Sequence, residues 1–581
     1  MNKKASISRR LFMSRLATGT FSLAMIPSFL RCQNKEGTEQ SADSLPKFFD
    51  CSKYVGPGFP ENPDFPGVTD LIAHMDRLGI DRAVAWHTDA RQISPMAGNE
   101  RLLSEIDSAK AGDRIIPSLI IAPSIINDPK SMDRLLEIIK TRNVRAFHFF
   151  PKEFSWSLSD ISPVIQKIRN FKPVLFLKSG EAGADDILNF TNQFPEVSVV
   201  ITNAWHPYYS MIFKLLEQRS NIFVDTSLLH SYRIIEDIIG KFGEKPLIFG
   251  TGYKSNNGAS LASLVHSEVS PDQMQQIAHG NLEQLLGIKT PLKGYNTIVG
   301  DRFWHRLLRK EPIGPEILDV HTHHCRAVKK WDTYCKDDYT DFDGIVAHNL
   351  RSMDKLGVKT MYIAEASFYP PDTNEGKTYM EEHMSPYGDR FRGYLCASAF
   401  MDEYKDKMIP RLDEIFSRPY YIGFKMHNDH WGIPITDPCF IPMWEYADNH
   451  HLSILLHTWS TKNSSPKLLT DIAPRYPNAF FLLGHSGNTD RPDAEQLALD
   501  NPNVYLEWCG SFVNPADWCE TIKRIGNDRI VYGSDGISGE EKWLHNPVWE
   551  IGRLLSLDVS DETLLPILGD NMRSILAQRK I

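Results

Sequence analysis

The chain has 581 residues and a formal charge of −9. One core rarely grows past roughly 250–300 residues, so two large domains are expected, and 42% hydrophobic residues are enough to fill both. The acidic balance excludes a globally basic nucleic-acid binder, and eight cysteines without a Cys-x-x-Cys pair exclude a disulfide scaffold and a structural cysteine–zinc site.

The N-terminus reads as an address. Lys3, Lys4, Arg9 and Arg10 give a positive start, and a moderately apolar stretch follows from Leu16 to Phe29. Ser8-Arg9-Arg10-Leu11-Phe12-Met13 is similar to the twin-arginine export signal, so residues 1–32 are expected to direct the protein to the periplasm. Cys32 is a candidate lipid anchor, although Arg31 stands where a small residue is usual. Residues 33–46 are polar and read as a linker. No later stretch reaches 18 apolar residues, so no transmembrane helix is expected.

From there one pattern is written twice, about 265–270 residues apart. DLIAHMDRLGIDRAVAWH (70–87) stands against GIVAHNLRSMDKLGVKTMYIAEA (344–366). KPVLFLKSG (172–180) stands against LSILLHTWS (452–460), and NIFVDTSL (221–228) against NVYLEWCG (503–510). KPLIFGTGY (245–253) stands against DRIVYGSDG (528–536), and IAHGNLEQLLG (277–287) against ILGDNMRSILA (567–577). Short apolar runs such as LSILLH and DRIVYG alternate with amphipathic helical stretches, which is the pattern of buried parallel strands. The expected fold is α/β, two tandem (β/α)8 barrels over 47–295 and 316–581, joined by a linker at 296–315. A doubly wound open sheet is the alternative.

Polar residues at the C-terminal ends of barrel strands face the open top. In the second repeat His321 and His323 close the first strand, His457 ends ILLH, His485 follows FLLG and Asp535 follows IVYGS. Imidazoles with one carboxylate form a donor set for zinc or a similar divalent metal. His485, whose ordinary pKa lies near neutrality, is the candidate acid or base. Lys425 and His427 share a strand face, and His430, Trp431 and Trp459 are expected at the rim, where an indole can stack on a flat ligand. Arg390 and Arg392 are weaker candidates for holding an anion, and Glu365 for a supporting role.

This set resembles the amidohydrolase superfamily, in the amidohydrolase-related branch that also contains ACMSD-type decarboxylases. The resemblance implies a metal-bearing barrel with His321, His323, His457 and Asp535 as ligands, and His485 as catalytic group or second-metal ligand. It implies one divalent metal, with zinc as the expectation; two metals would use His485 and a carboxylated Lys425. Asp535 would also pass the proton. In the first repeat Ser52, Tyr54, Lys178, Asn203 and Gly252 stand at these positions, so that copy is expected to keep the fold without the metal. His148, Lys152, Lys178 and His206 remain as a basic cleft for an anion.

Hydrolysis of an amide, lactone or ester by metal-activated water is the leading expectation, because the chain reads as exported. A non-oxidative decarboxylase with the same site is the second reading, and a non-catalytic tandem-barrel binding protein the third. The expected partner is a small-molecule substrate, without nucleic acid. Barrel–barrel contact within the chain and a homo-oligomer are both compatible with the sequence.

Overall fold

The computed structural model describes residues 46–57, 65–252, 258–293, 302–324, 327–330, 338–364, 379–401, 405–509, 515–536 and 547–581. The expected export signal, Cys32, all but the last residue of the 33–46 linker, and Glu365 lie outside the described residues. No described helix is long and apolar enough to cross a membrane.

Two eight-stranded parallel sheets follow one another, both within one compact unit, Leu45–Ile581. The first runs β1 (Phe49–Val55), β2 (Arg82–His87), β3 (Ile115–Ile120), β4 (Ala146–His148), β5 (Val174–Lys178), β6 (Ser198–Thr202), β7 (Ile222–Asp225) and β8 (Leu247–Ile248). The second opens with β9 (Ile317–Thr322), followed by an antiparallel hairpin of β10 (Ala327–Lys330) and β11 (Asp338–Asp341). It continues with β12 (Val358–Ala364), β13 (Phe391–Cys396), β14 (Tyr421–Met426), β15 (Ser453–His457), β16 (Phe480–Gly484), β17 (Val504–Trp508) and β18 (Ile530–Tyr532). Strand order follows chain order in both sheets. The first closes through Cys51 N–H to the Phe249 carbonyl, and the second through Asp535 N–H to the His321 carbonyl and His323 N–H to the Gly536 carbonyl. Both sheets are therefore (β/α)8 barrels.

Alternation along the strands explains both the core and the site. Leu455 on β15, Leu482 on β16 and Tyr505 on β17 face one apolar cluster with Val320 and Tyr394, while their neighbours Ile454, Leu456, Phe481, Leu483 and Leu506 pack in a separate one. Met572 and Ile575, from the last helix Asn571–Leu576, join the inner cluster. Leu282 and Leu286 do the same in the first barrel. Two residues beyond Leu455 is His457, and two beyond Tyr505 is Glu507, so strand periodicity carries these polar groups inward.

The duplication extends to fine detail. Asn281 bonds the carbonyls of Glu244 and Leu247, and Asn571 bonds those of Asn527 and Ile530. Asp50 accepts from the Thr251 N–H and hydroxyl; Asp319 accepts from the Ser534 N–H at 2.9 Å and hydroxyl at 2.6 Å. A single-turn π-helix precedes the last helix of each repeat.

The barrels meet through equivalent helices, Ala259–His266 and Pro547–Leu555, each following the eighth strand of its own repeat. The stretch expected to be a plain linker contains a helix, Phe303–Leu308, that fastens both sides. Buried Trp304 donates to the Leu78 carbonyl, and Phe303 N–H donates to Asp561. At the helix crossing a Cβ on Gly552 would lie 2.7 Å from the Ala262 Cβ and 3.3 Å from the Ala259 Cα. Gly552→Val is expected to cost about 1–3 kcal/mol by overpacking. Denaturant midpoints of variant and parent measure this; an unchanged midpoint would show that the seam can yield.

Candidate metal centre

His321 and His323 leave β9 at the barrel mouth, and Asp535 follows β18 beside them. The His321 Nε2 lies 3.1 Å from His323 Nε2 and 3.6 Å from Asp535 Oδ1, and His323 Nε2 lies 3.2 Å from the same oxygen. His323 Nδ1 is 3.1 Å from the Ala364 carbonyl. A carbonyl only accepts, so Nδ1 carries the proton and Nε2 presents its lone pair. His321 Nε2 faces the Lys425 ammonium at 3.0 Å, which makes it an acceptor as well. Two lone pairs and a carboxylate oxygen thus point at one another, an arrangement that stabilises a cation.

The electrostatics agree. Burial, reinforced by Lys425, holds His321 well below its ordinary pKa, and burial together with His485 does the same for His457. Burial brings His485 to about 4, so these imidazoles are neutral and able to act as ligands. Burial alone would raise Asp535, but the imidazoles around it, His323 foremost and then His485 and His321, hold its carboxyl well below the usual range. Burial lowers Lys425 to about 8. Asp535 has a positive φ of 51°, and His485, Ser486, Gly487 and Asn488 all have positive φ. Left-handed backbone of this kind is uncommon outside glycine and is concentrated at functional sites. The first barrel repeats it at Asn203 and Gly252, which stand where His485 and Asp535 do.

His457 lies at the same mouth, its ring 4.8 Å from that of His485, but its Nε2 faces Asp429 at 3.7 Å. His430, His427 and His457 stack in a column, with centroids 3.7 and 4.1 Å apart, and Trp459 lies nearly parallel to His457 at 5.9 Å. Trp431 is half-buried and packs against Phe440. Arg390 and Arg392 do not join the site. They flank the start of β13, where they pair with Asp354 and Asp389, because the N-terminal ends of the strands form the other face of the barrel. In the first barrel His148 bonds Ser118 at 2.7 Å, and burial brings it to about 3, so it adds no positive charge to a cleft.

Three groups escaped the sequence reading. Glu507, buried at the end of β17, lies 3.3 Å from His321 Nδ1, and burial pushes its carboxyl up to about 8. Cys509 Sγ lies 2.9 Å from Glu507, 3.2 Å from His485 Nδ1 and 3.5 Å from His321 Nδ1. Asp319, with a pKa raised to about 7 by burial, bonds Ser534 beneath Asp535. The signal was present: an acid inside the apolar run NVYLEW is costly unless something there needs it. Among the described residues, two donor sets have all their atoms within 4.8 Å: His321–His323–Asp535 and His321–His485–Cys509.

Residues 359–576 match the family model described as Amidohydrolase. The match lies within the second barrel. No curated protein is significantly similar to the chain. Solved structures similar to it include a probable 2-pyrone-4,6-dicarboxylic acid hydrolase from Acinetobacter baumannii, 14% identical, over 45% of this chain and 99% of that one, with a TM-score of 0.35. A 2,6-dihydroxybenzoate decarboxylase from Rhizobium is 13% identical over 45% and 99% of the two chains, with a TM-score of 0.34. A 5-carboxyvanillate decarboxylase from Novosphingobium aromaticivorans, complexed with manganese, is 12% identical over 43% and 97%, with a TM-score of 0.33.

The residues at the mouth of the second barrel fit a divalent metal. Ligands about 2.0–2.2 Å from one tetrahedral ion lie roughly 3.3–3.6 Å apart. The three donor separations here, 3.1, 3.2 and 3.6 Å, match that spacing, and both histidine tautomers present Nε2.

Proposed function

We propose that the second barrel hydrolyses a C–N or C–O bond, in an amide, lactone or ester, with one divalent metal, zinc as first choice. The convergence of His321 Nε2, His323 Nε2 and Asp535 Oδ1 carries this reading. We assign His457, at the end of the fifth barrel strand, to the same cation. A divalent ion there would bring the pKa of a water toward neutrality and polarise a carbonyl.

The chain's own groups supply the rest. The Asp535 side chain is 26% exposed, so it can take a proton from the open side of the site. Neutral His485, with its ring 5.5 Å from Trp459, is placed to stabilise an oxyanion, while the proton taken up by Asp535 passes on to the leaving group. The Lys425 ammonium, buried beside His321, offsets acidic charge in the site and orients a substrate oxygen. His430, His427, His457 and Trp459 form a stacked wall against which a flat substrate lies. The Arg9–Arg10 leader assigns this activity to the cell envelope, where scavenged material is met.

Metal analysis of the purified full chain tests the reading. One ion per chain, lost in His323→Ala and in His457→Ala and kept in Ser52→Ala, is expected, together with metal-dependent hydrolysis in a panel of lactones, esters and amides. Release of carbon dioxide from aromatic acids without any hydrolysis would replace the hydrolase with a decarboxylase. A protein that takes up no metal on reconstitution would overturn both enzyme readings.

A further inference from the structure

The two barrels carry an acid at the same place, and their differences give Glu507 a task. In the first barrel Asp225 Oδ1 accepts from the Asn203 N–H at 3.0 Å and from the Ser227 hydroxyl at 2.7 Å. In the second barrel Glu507 Oε2 accepts from the His485 N–H at 3.0 Å and from the Cys509 thiol at 2.9 Å. Asp225 and Glu507 end equivalent strands, β7 and β17, and their partners occupy equivalent positions. The bond from Asn203 or His485 ties the sixth strand end to the seventh, and the bond from Ser227 or Cys509 steadies the acid from its own strand end; both are present with or without the metal ligands, so they belong to the fold.

What changes is the third neighbour. In the first barrel the acid meets the short hydroxyl of Ser52. In the second, Ser52 is replaced by His321, the acid is longer by one methylene, and Oε2 stands 3.3 Å from His321 Nδ1. The space for this longer acid is built in. A Cβ on Gly533 would fall 2.0 Å from Glu507 Oε1 and 2.7 Å from the His321 Cβ. Cys509 extends the link, since its sulfur touches Glu507 and also lies 3.2 Å from His485 Nδ1.

We infer that Glu507 is the positioning residue of the metal centre: it holds the Nδ1–H of His321, so that the Nε2 lone pair stays aimed at the space shared with His323 and Asp535. The inference rests on the metal-centre reading above. A carboxylate on the far nitrogen of a ligand histidine fixes its tautomer and ring orientation and raises its basicity, and its loss typically costs 10–100-fold in metal affinity. Glu507 does not touch substrate or metal in this role; it acts through His321.

The internal repeat supplies the control. Glu507→Gln keeps the shape and exchanges the carboxyl for an amide in the metal barrel, while Asp225→Asn makes the same change to the same strand tie in the first barrel. Zinc affinity of the full chain, by chelator competition, and the melting temperature of the metal-free protein are read for both. The expected result is a similar loss of melting temperature in the two variants, with zinc affinity about 10–100-fold weaker in Glu507→Gln alone. Zinc affinity within threefold of the parent in Glu507→Gln, with zinc lost in His323→Ala, would overturn the positioning role and leave the metal centre standing. Zinc affinity unchanged in His323→Ala would overturn the metal-centre reading and this inference with it.

Discussion

Asp535→Asn is expected to cut metal-dependent turnover by about 10²–10⁴-fold, the range for losing a positioned acid–base group, and to weaken metal binding as well. The same oxygen, Oδ1, faces both His321 and His323, so the amide removes the single negative charge from that donor set. The fold should survive. Asp535 sits at φ 51°, a conformation asparagine tolerates, and its N–H keeps its bond to the His321 carbonyl. Metal content, kcat/KM and the melting temperature of the metal-free protein together measure this. Full activity in the asparagine variant would remove Asp535 from the chemistry.

Arg553→Met is expected to be the most damaging change to stability, at about 3–5 kcal/mol. Arg553 and Glu550 are both 2% exposed, joined at 2.8 and 3.1 Å, on the helix that packs against the first barrel. The guanidinium also lies over the Trp508 ring at 5.5 Å. Removing the cation strands a carboxylate in the interior, where the missing partner cannot be replaced by water. Replacing both residues, Glu550→Leu with Arg553→Met, is expected to recover most of the loss, because two apolar side chains leave no uncompensated charge. Denaturant unfolding followed by tryptophan emission distinguishes the two outcomes. Equal stability of the single and double variants would show that the loss comes from packing on Trp508 and not from the buried charge.

The amino-acid sequence by itself determined the two barrels and which polar residues end their strands. Apolar runs of four to six residues, returning in the same order about 265–270 residues later, admit few folds, and His321, His323, His457, His485 and Asp535 each close such a run. Strand periodicity then places them at one mouth without further information. The Ser52 and Gly252 substitutions were legible for the same reason, since a repeat supplies its own reference.

Tertiary structure decided the rest. Arg390 and Arg392 belong to the far end of the barrel, because only the finished sheet shows which end of β13 carries them. The expected linker hides the Phe303–Leu308 helix, whose six residues are too short to stand out until Trp304 finds its cavity between the barrels. Glu507 and Cys509 come to the candidate metal centre from a strand on which the sequence placed no candidate ligand. Their task depends on a 3.3 Å approach across 186 residues of chain, and a contact of that range exists only once both strands are in the barrel. Local sequence sets which way a side chain faces along its own strand; what it meets there is fixed by the strands that close around it.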